Sequence, residues 1–245
     1  MIEELKEIIK NGRKIVFFGG AGVSTESGIP DFRSENGIYK TKSEYGMSPE
    51  EIISRSFFDR KPEIFYNYYT KNLIYLSAEP NDAHKALAKL EEQGKLTAIV
   101  TQNIDGLHQK AGSKNVFELH GSVIRNYCMK CNMYYDVSYI MEPGNCENHI
   151  PRCKNCRGMV KPDVVLYEEP LDSGVMSKAV AAIADAEILI VGGTSLVVYP
   201  AAGFINYFRG NKLILINKSE TAFDGKADLV IHDSIGKVLG SVTSC

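Results

Sequence analysis

The sequence predicts an α/β protein, a doubly wound parallel sheet of Rossmann-like type with a smaller inserted domain, on three observations. Continuous apolar runs recur along the chain, as in strands covered on both faces, and helical patterns lie between several of them. Two stretches, 34–80 and 121–160, break that rhythm and read as insertions that together form a smaller module beside the sheet. A chain of 245 residues, 44% hydrophobic and 24% charged, suffices for one large domain or a large and a small one.

Taken in order, Ile2, Leu5, Ile8 and Ile9 share one helical face, and Asn11-Gly12 stop that helix. Lys14-Ile15-Val16-Phe17-Phe18 reads as a buried strand running into glycines. Residues 34–80 are polar and aromatic, with Asn36-Gly37 as a turn and helical spacing from Pro49 to Leu76. Ala83 to Gln93 is the clearest helix, with Ala86, Leu87 and Leu90 on one face and Gly94 just past its end. Strands are expected at 96–101, 116–119, 187–191, 212–216 and 228–231. Between them, residues 121–160 hold five of the six cysteines and little apolar periodicity. The expected division is a sheet domain from 1–33, 81–120 and 161–245, with 34–80 as a helical module and 121–160 as a cysteine-bearing module.

Charge narrows the partners. With 28 Lys plus Arg against 30 Asp plus Glu, the net charge of -2 gives no footprint for nucleic acid or an anionic membrane. The amphipathic, acidic N-terminus is unlike an export signal, and no apolar run reaches the roughly 18 residues of a membrane span. A soluble, cytoplasmic monomer is expected, and its cysteines should stay reduced, so paired spacings point to metal ligation rather than disulfides.

Four motifs carry candidate chemistry. Gly19-Gly20-Ala21-Gly22-Val23-Ser24-Thr25-Glu26-Ser27-Gly28 follows the first strand, where glycines let the backbone approach a pyrophosphate and a following helix would favour its charge. The spacing departs from the G-x-G-x-x-G fingerprint, because Thr25 stands at the third position, and simple chain reversal stays open. No acidic ribose ligand stands about 20 residues on; Asn217, ending a strand, is the substitute. Cys128-x-x-Cys131 and Cys153-x-x-Cys156, 21 residues apart, form two knuckles that complete a closed four-thiolate site suited to structural zinc. Cys146 and His149 form a competing pair that reads as a spare thiol and a surface imidazole, and Cys245 reads as uninvolved. Thr101-Gln102-Asn103-Ile104-Asp105 closes the second strand at the edge where such sheets bind ligands, although such a cluster could equally cap the next helix. His120, after another strand, is placed as a general base near neutrality, with a satisfied core histidine as the bland alternative. His84, His108 and His232 read as structural.

These residues together resemble the sirtuin family of NAD-dependent protein deacylases. The resemblance runs through Gly20-Ala21-Gly22-Val23-Ser24, Gly28-Ile29-Pro30-Asp31-Phe32-Arg33, Pro80-Asn81-Asp82-Ala83-His84, Thr101 to Asp105, His120-Gly121, the four knuckle cysteines, Lys161 to Val165 and Gly193 to Pro200. It implies that NAD is consumed as co-substrate. The acyl-lysine oxygen would attack C1′ of the nicotinamide ribose, and His120 would then act as base on a ribose hydroxyl. The products would be nicotinamide, free lysine and O-acyl-ADP-ribose. By the same resemblance, Ile104 and Asp105 would hold the nicotinamide amide, Gln102 and Asn103 the ribose, and Ala21, Thr25, Phe32 and Arg33 the phosphate and nicotinamide side. Thr194, Ser195, Asn217 and Ile235 would hold the adenosine half. A substrate peptide carrying acetyl-lysine would add as a strand between Val165-Leu166-Tyr167 and Leu196-Val197-Val198.

Two departures bear on specificity. Tyr167-Glu168-Glu169 stands where the family commonly has Phe-Gly-Glu, and the added acid is expected to favour basic peptides. Tyr66-Asn67-Tyr68-Tyr69 lacks the arginine that succinyl-removing members carry to pair the acyl carboxylate, so neutral acyl groups such as acetyl are expected. Rival readings are an NAD-dependent oxidoreductase, which would produce reduced nicotinamide, a protein ADP-ribosyltransferase, which would leave label on protein, and a catalytically idle NAD-binding module.

Overall fold

The computed structural model describes residues 1–30 and 45–243. Helix α1 (Ile2–Asn11) leads into β1 (Ile15–Gly19), buried at every position. The chain continues through α2 (Pro49–Ile52), α3 (Arg55–Arg60), α4 (Pro62–Asn72), α5 (Asp82–Glu92), β2 (Leu96–Thr101), α6 (Leu107–Lys110) and β3 (Val116–Glu118). Then come β4 (Gly121–Cys128), β5 (Tyr134–Asp136), α7 (Val137–Met141), β6 (Cys146–Glu147), β7 (Ile150–Pro151) and β8 (Val160–Val164). Finally α8 (Ser173–Asp185), β9 (Ile188–Gly192), β10 (Lys212–Ile216), β11 (Leu229–Ile231) and α9 (Ile235–Thr243) return to the large sheet.

That sheet is six-stranded and parallel, in the order β11-β10-β9-β1-β2-β3. Because side chains alternate across a strand, Ile15 and Phe17 join a core with Leu5, Leu87 and Val238 on one face. Val16 and Phe18 join another with Ala179, Ile183 and Leu215 on the other. This two-sided burial is what the continuous apolar runs encode. The winding reverses between β1 and β9, and the crevice beyond their carboxyl ends is where such sheets take ligands.

A third core, including Phe58, Phe65, Tyr66, Tyr69, Val123, Tyr135 and Val160, joins α2–α4 to a three-stranded antiparallel sheet β5-β4-β8 and the β6-β7 hairpin. Two expectations change here. The spacing from Pro49 to Leu76 is divided into three helices, because Ser48 and Ser54 each cap a new start and Pro62 opens the third. The cysteine-rich stretch also holds strands, hidden in sequence because β4 buries the polar Ser122 and Asn126 and exposes Ile124, while β5 is only three residues long. β8 straddles the boundary expected at 161 and pairs with β4.

Candidate active site

At the switch point, backbone meets backbone. A Cβ at residue 20 would lie 2.8 Å from Thr194 Cβ, and one at residue 22 would lie 2.8 Å from Gly193 Cα. The glycines are therefore required by contact with 193–194, and the Gly22 N–H donates to Gly193 O at 2.8 Å. The helix expected after this turn is replaced by two 3₁₀ turns, Ala21–Val23 and Thr25–Ser27, ended by Gly28 at φ 81. Gly28 in the left-handed region and Pro30, which lacks an N–H, stop any helical continuation. Single turns sum little dipole, so an anion here would rely on loop N–H groups and side chains.

Below the turn, residues distant in sequence form a closed polar network. Ser24 Oγ donates to Asp105 Oδ2 at 2.6 Å, and Asn103 Nδ2 donates to Ser24 Oγ at 3.0 Å. The Leu107 N–H donates to Asp105 Oδ1 at 2.9 Å, so the capping role left open in sequence is real, but it occupies only one of the two carboxylate oxygens. Gln102 Nε2 donates to Thr194 Oγ1 at 3.1 Å, which brings an expected ribose ligand against an expected adenosine ligand. Thr25 Oγ1 donates to Gly22 O at 3.0 Å beside Ala21. A cavity of about 350 Å³ opens next to Asp105, between Tyr75, Leu76, Leu107 and Ile124.

His120 follows β3 at the same edge. Its Nδ1 lies 2.9 Å from Gln102 O, and because a carbonyl can only accept, the proton sits on Nδ1, which leaves Nε2 with a lone pair that no described residue takes up. Burial lowers its pKa from the ordinary 6.5, and the bond to Gln102 O only partly opposes this. The imidazole is thus neutral at pH 7, as a base must be. His84 and His108 sit behind this edge with rings 4.7 Å apart; burial lowers them to about 4 and about 3, which keeps both uncharged. His232 sits elsewhere, 3.2 Å from Asp224.

The remaining expected residues are dispersed. Asn217 uses its amide on Ser219 O at 2.9 Å, and Ile235 is buried with its side chain packed toward Gly192. Ser195 and Val197 are exposed, whereas Leu196 between them is buried at φ 56. Across the cleft, the Val165 N–H donates to His120 O, the Leu166 N–H to Glu169 Oε2 and the Tyr167 N–H to Ile53 O, at 3.0, 2.8 and 3.1 Å. Phe32, Arg33, Asn36-Gly37 and Cys245 lie outside the described residues. Two contributors were not singled out in sequence. Ser24 links Asn103 to Asp105, and Glu26 Oε1 accepts from the Gly236 N–H at 2.9 Å, tying the glycine turn to the start of α9. Their only sequence signal is position inside the turn.

The two carboxylates of the acidic edge are held differently. Glu168 accepts from the Ser56 N–H at 2.8 Å and from Ser56 Oγ at 3.0 Å, and Glu169 pairs with Arg55 and Lys161. Glu169 is held by two cations, whereas Glu168 stays exposed with only the neutral Ser56 as partner among the described residues, so its charge remains at this edge. Tyr69 is fully buried, stacked on Phe65 at 5.4 Å, and burial pushes its phenol far up, so it carries no charge.

At the end of the small sheet, the Sγ atoms of Cys128, Cys131, Cys153 and Cys156 all lie within 4.8 Å of one another. A zinc tetrahedron with bonds of about 2.3 Å has sulfur–sulfur edges of about 3.8 Å, so four thiolates fit one ion. A Cβ at Gly158 would lie 3.0 Å from Cys128 Sγ, which explains glycine there. Tyr135 Oη donates to Cys153 Sγ at 3.2 Å while the Lys154 N–H fills its lone pair at 2.8 Å. Cys146 points instead at Ile140 O and Glu142 O, and neither it nor His149 joins the cluster.

Comparison with known proteins agrees with this geometry. The model of the Sir2 family matches residues 20–200. A Clostridium perfringens protein named NAD-dependent protein deacetylase is 66% identical over 242 residues, covering 98% of both chains. One of the same name from Clostridium acetobutylicum is 63% identical, covering 98% of this chain and 97% of the relative. A solved structure of Sir2 with a p53 peptide and NAD+ superposes with a TM-score of 0.88 at 37% identity, covering 99% and 97% of the two chains. Another, with a deacetylated p53 peptide and 3'-O-acetyl ADP ribose, gives 0.88 at 39%, covering 97% and 95%.

Proposed function

The chain belongs to the Sir2 family, and we propose that the cleft at the carboxyl edge of β1, β2, β3 and β9 is where it deacetylates protein lysines. It is an NAD-dependent protein deacetylase that moves the acetyl group of acetyl-lysine to ADP-ribose, with release of nicotinamide and O-acetyl-ADP-ribose. The observation that carries the assignment of the cleft is the neutral His120, its proton fixed on Nδ1 so that Nε2 carries the lone pair, near the Ser24–Asn103–Asp105 network.

NAD, when bound, supplies an electrophilic C1′ and nicotinamide as its leaving group. His120 takes a proton from a ribose hydroxyl through Nε2. Asp105 and Ile104 hold the nicotinamide amide, and Asn103 with Gln102 orients the ribose. Ala21, Thr25, Phe32 and Arg33 line the phosphate and nicotinamide side, while Thr194, Ser195, Asn217 and Ile235 take the adenosine half. The acetyl-lysine peptide lies between Val165, Leu166 and Tyr167 on one wall and Val197 and Val198 on the other. The acyl group is neutral, because position 69 carries no guanidinium to pair an acyl carboxylate.

In this reading, 1–33, 81–120 and 161–245 form the NAD-binding domain, and 34–80 with 121–160 form a small domain held by one structural zinc. The enzyme works as a cytoplasmic monomer; no helix among the described residues is long and apolar enough to cross a membrane. The test is nicotinamide release from NAD with and without an acetyl-lysine peptide. Release is expected only with the peptide, and much more slowly from a succinylated one. Equal rates on both would contradict the acyl assignment, and release independent of peptide would contradict the reaction.

A further inference from the structure

The passage from His120 into the small sheet contains a clamp that the chemistry above does not use. β4 starts beside β3 at the large sheet and ends among the small sheet. Between Ser122, opposite Asp163, and Asn126, opposite Pro162, its register with β8 slips. Arg125 lies in that irregular stretch, and its guanidinium reaches both ways. Nη1 donates to Glu118 Oε2 at 2.7 Å, and Nε donates to Asp163 Oδ2 at 2.8 Å. Glu118 stands two residues before His120, and Asp163 stands two residues before Val165, whose N–H donates to His120 O at 3.0 Å. The clamp therefore runs alongside the main-chain bond that joins the base to the peptide wall. At Gly121 a Cβ would lie only 1.9 Å from Asp163 O, so the two backbones meet there with no room for a side chain. Arg125 supplies a side-chain tie for the junction.

We propose that Arg125 is a positioning residue for deacetylation: by pinning Glu118 and Asp163 together, it fixes where His120 sits relative to the acetyl-lysine. The Glu118 side chain is 9% exposed and that of Arg125 35%, so this pairing is less screened than a surface ion pair. The planar fork matters, since a lysine presents a single point charge and cannot hold both carboxylates in the same way. A displacement of the base by about an ångström is enough to slow proton transfer by one or two orders of magnitude.

This inference rests on His120 being the base, and the experiment separates the two. Arg125→Met alone would strand a buried carboxylate, so the variants are Arg125→Lys and the double variant Arg125→Met with Glu118→Gln, each compared with the wild type and His120→Ala. Three quantities are read: the melting temperature, exchange of labelled nicotinamide into NAD in the presence of acetylated peptide, and O-acetyl-ADP-ribose formation. Exchange reports the first bond cleavage, before His120 acts. The expected result is exchange within about twofold of the wild type, with acetyl transfer slowed about tenfold. A purely structural role would lower both together, and that outcome overturns the proposal. So does acetyl transfer within about twofold of the wild type in variants that fold, when His120→Ala has abolished it. Undiminished transfer by His120→Ala would instead remove the base assignment and this inference with it.

Discussion

The molecule holds two polar clusters that satisfy themselves in opposite ways. At the edge of the large sheet, Ser24 and Asp105 meet across 81 residues of sequence, the hydrogen bonds of Ser24, Asn103 and Asp105 close on one another, and His120 bonds Gln102 O. At the end of the small sheet, four thiols drawn from one short stretch face each other at 3.4 and 3.5 Å across their closest pairs, a crowding that a shared cation relieves. The first cluster is organised by tertiary structure and keeps the Nε2 lone pair of His120 for chemistry. The second organises its surroundings and leaves no open position. One region acts; the other holds the acting region's partner wall in place.

The comparison breaks most visibly if the metal is taken away. Zinc binding to such sites is coupled to folding by about 10 kcal/mol or more, so chelation or Cys153→Ser should melt the β5-β4-β8 sheet while β1, β2 and β9 keep their amide protection. Hydrogen exchange reads both regions at once, and equal loss in both would show that they are not separate units. Next in size is His120→Ala, expected to cost about 10² to 10⁴ in turnover with NAD binding retained, by titration. In the wild type, the acid limb of kcat/KM should have its midpoint below 6.5, because burial lowers the pKa of His120.

How much of this was legible in sequence differs between the clusters for the same reason. The cysteine knuckles are local, so spacing alone revealed them. The large sheet was equally plain, because Ile15 to Phe18 and Ile188 to Val191 are buried on both faces and carry uninterrupted apolar runs. The edge network was only half legible. Asn103, Asp105 and His120 could be placed at strand ends, but the meeting of Asn103 and Asp105 with Ser24 depends on the pairing of β1 with β2, and that of Gln102 with Thr194 on the reversal of winding between β1 and β9, which no local pattern encodes. The bonding of Glu168 to Ser56 joins residues 112 apart in the chain, which no local pattern encodes either.

Smaller effects sharpen the contrast. His84 and His108 hold folded pKa values of about 4 and about 3, below the ordinary 6.5, because burial disfavours their charged forms. Their neutral burial therefore costs nothing above pH 6.5 and weakens the fold as pH falls through 6.5 toward 4, by at most about 1.4 kcal/mol per imidazole for each drop of one in pH. Urea midpoints at pH 7 and pH 5 should show that loss, and His108→Leu should reduce it; an unchanged slope would mean that these imidazoles do not set acid stability. Smallest is Tyr135→Phe, which removes the hydroxyl donated to Cys153. It should weaken zinc retention against a chelator by about 10- to 100-fold and leave the kcat of the zinc-loaded enzyme unchanged.

The most direct test of the account is mass spectrometry of the products formed from NAD and an acetyl-lysine peptide. One nicotinamide, one deacetylated peptide and one O-acetyl-ADP-ribose should appear for each NAD consumed, and His120→Ala should form them about 10² to 10⁴ times more slowly. Free acetate without loss of NAD, ADP-ribose left on the peptide, or reduced nicotinamide would each contradict it.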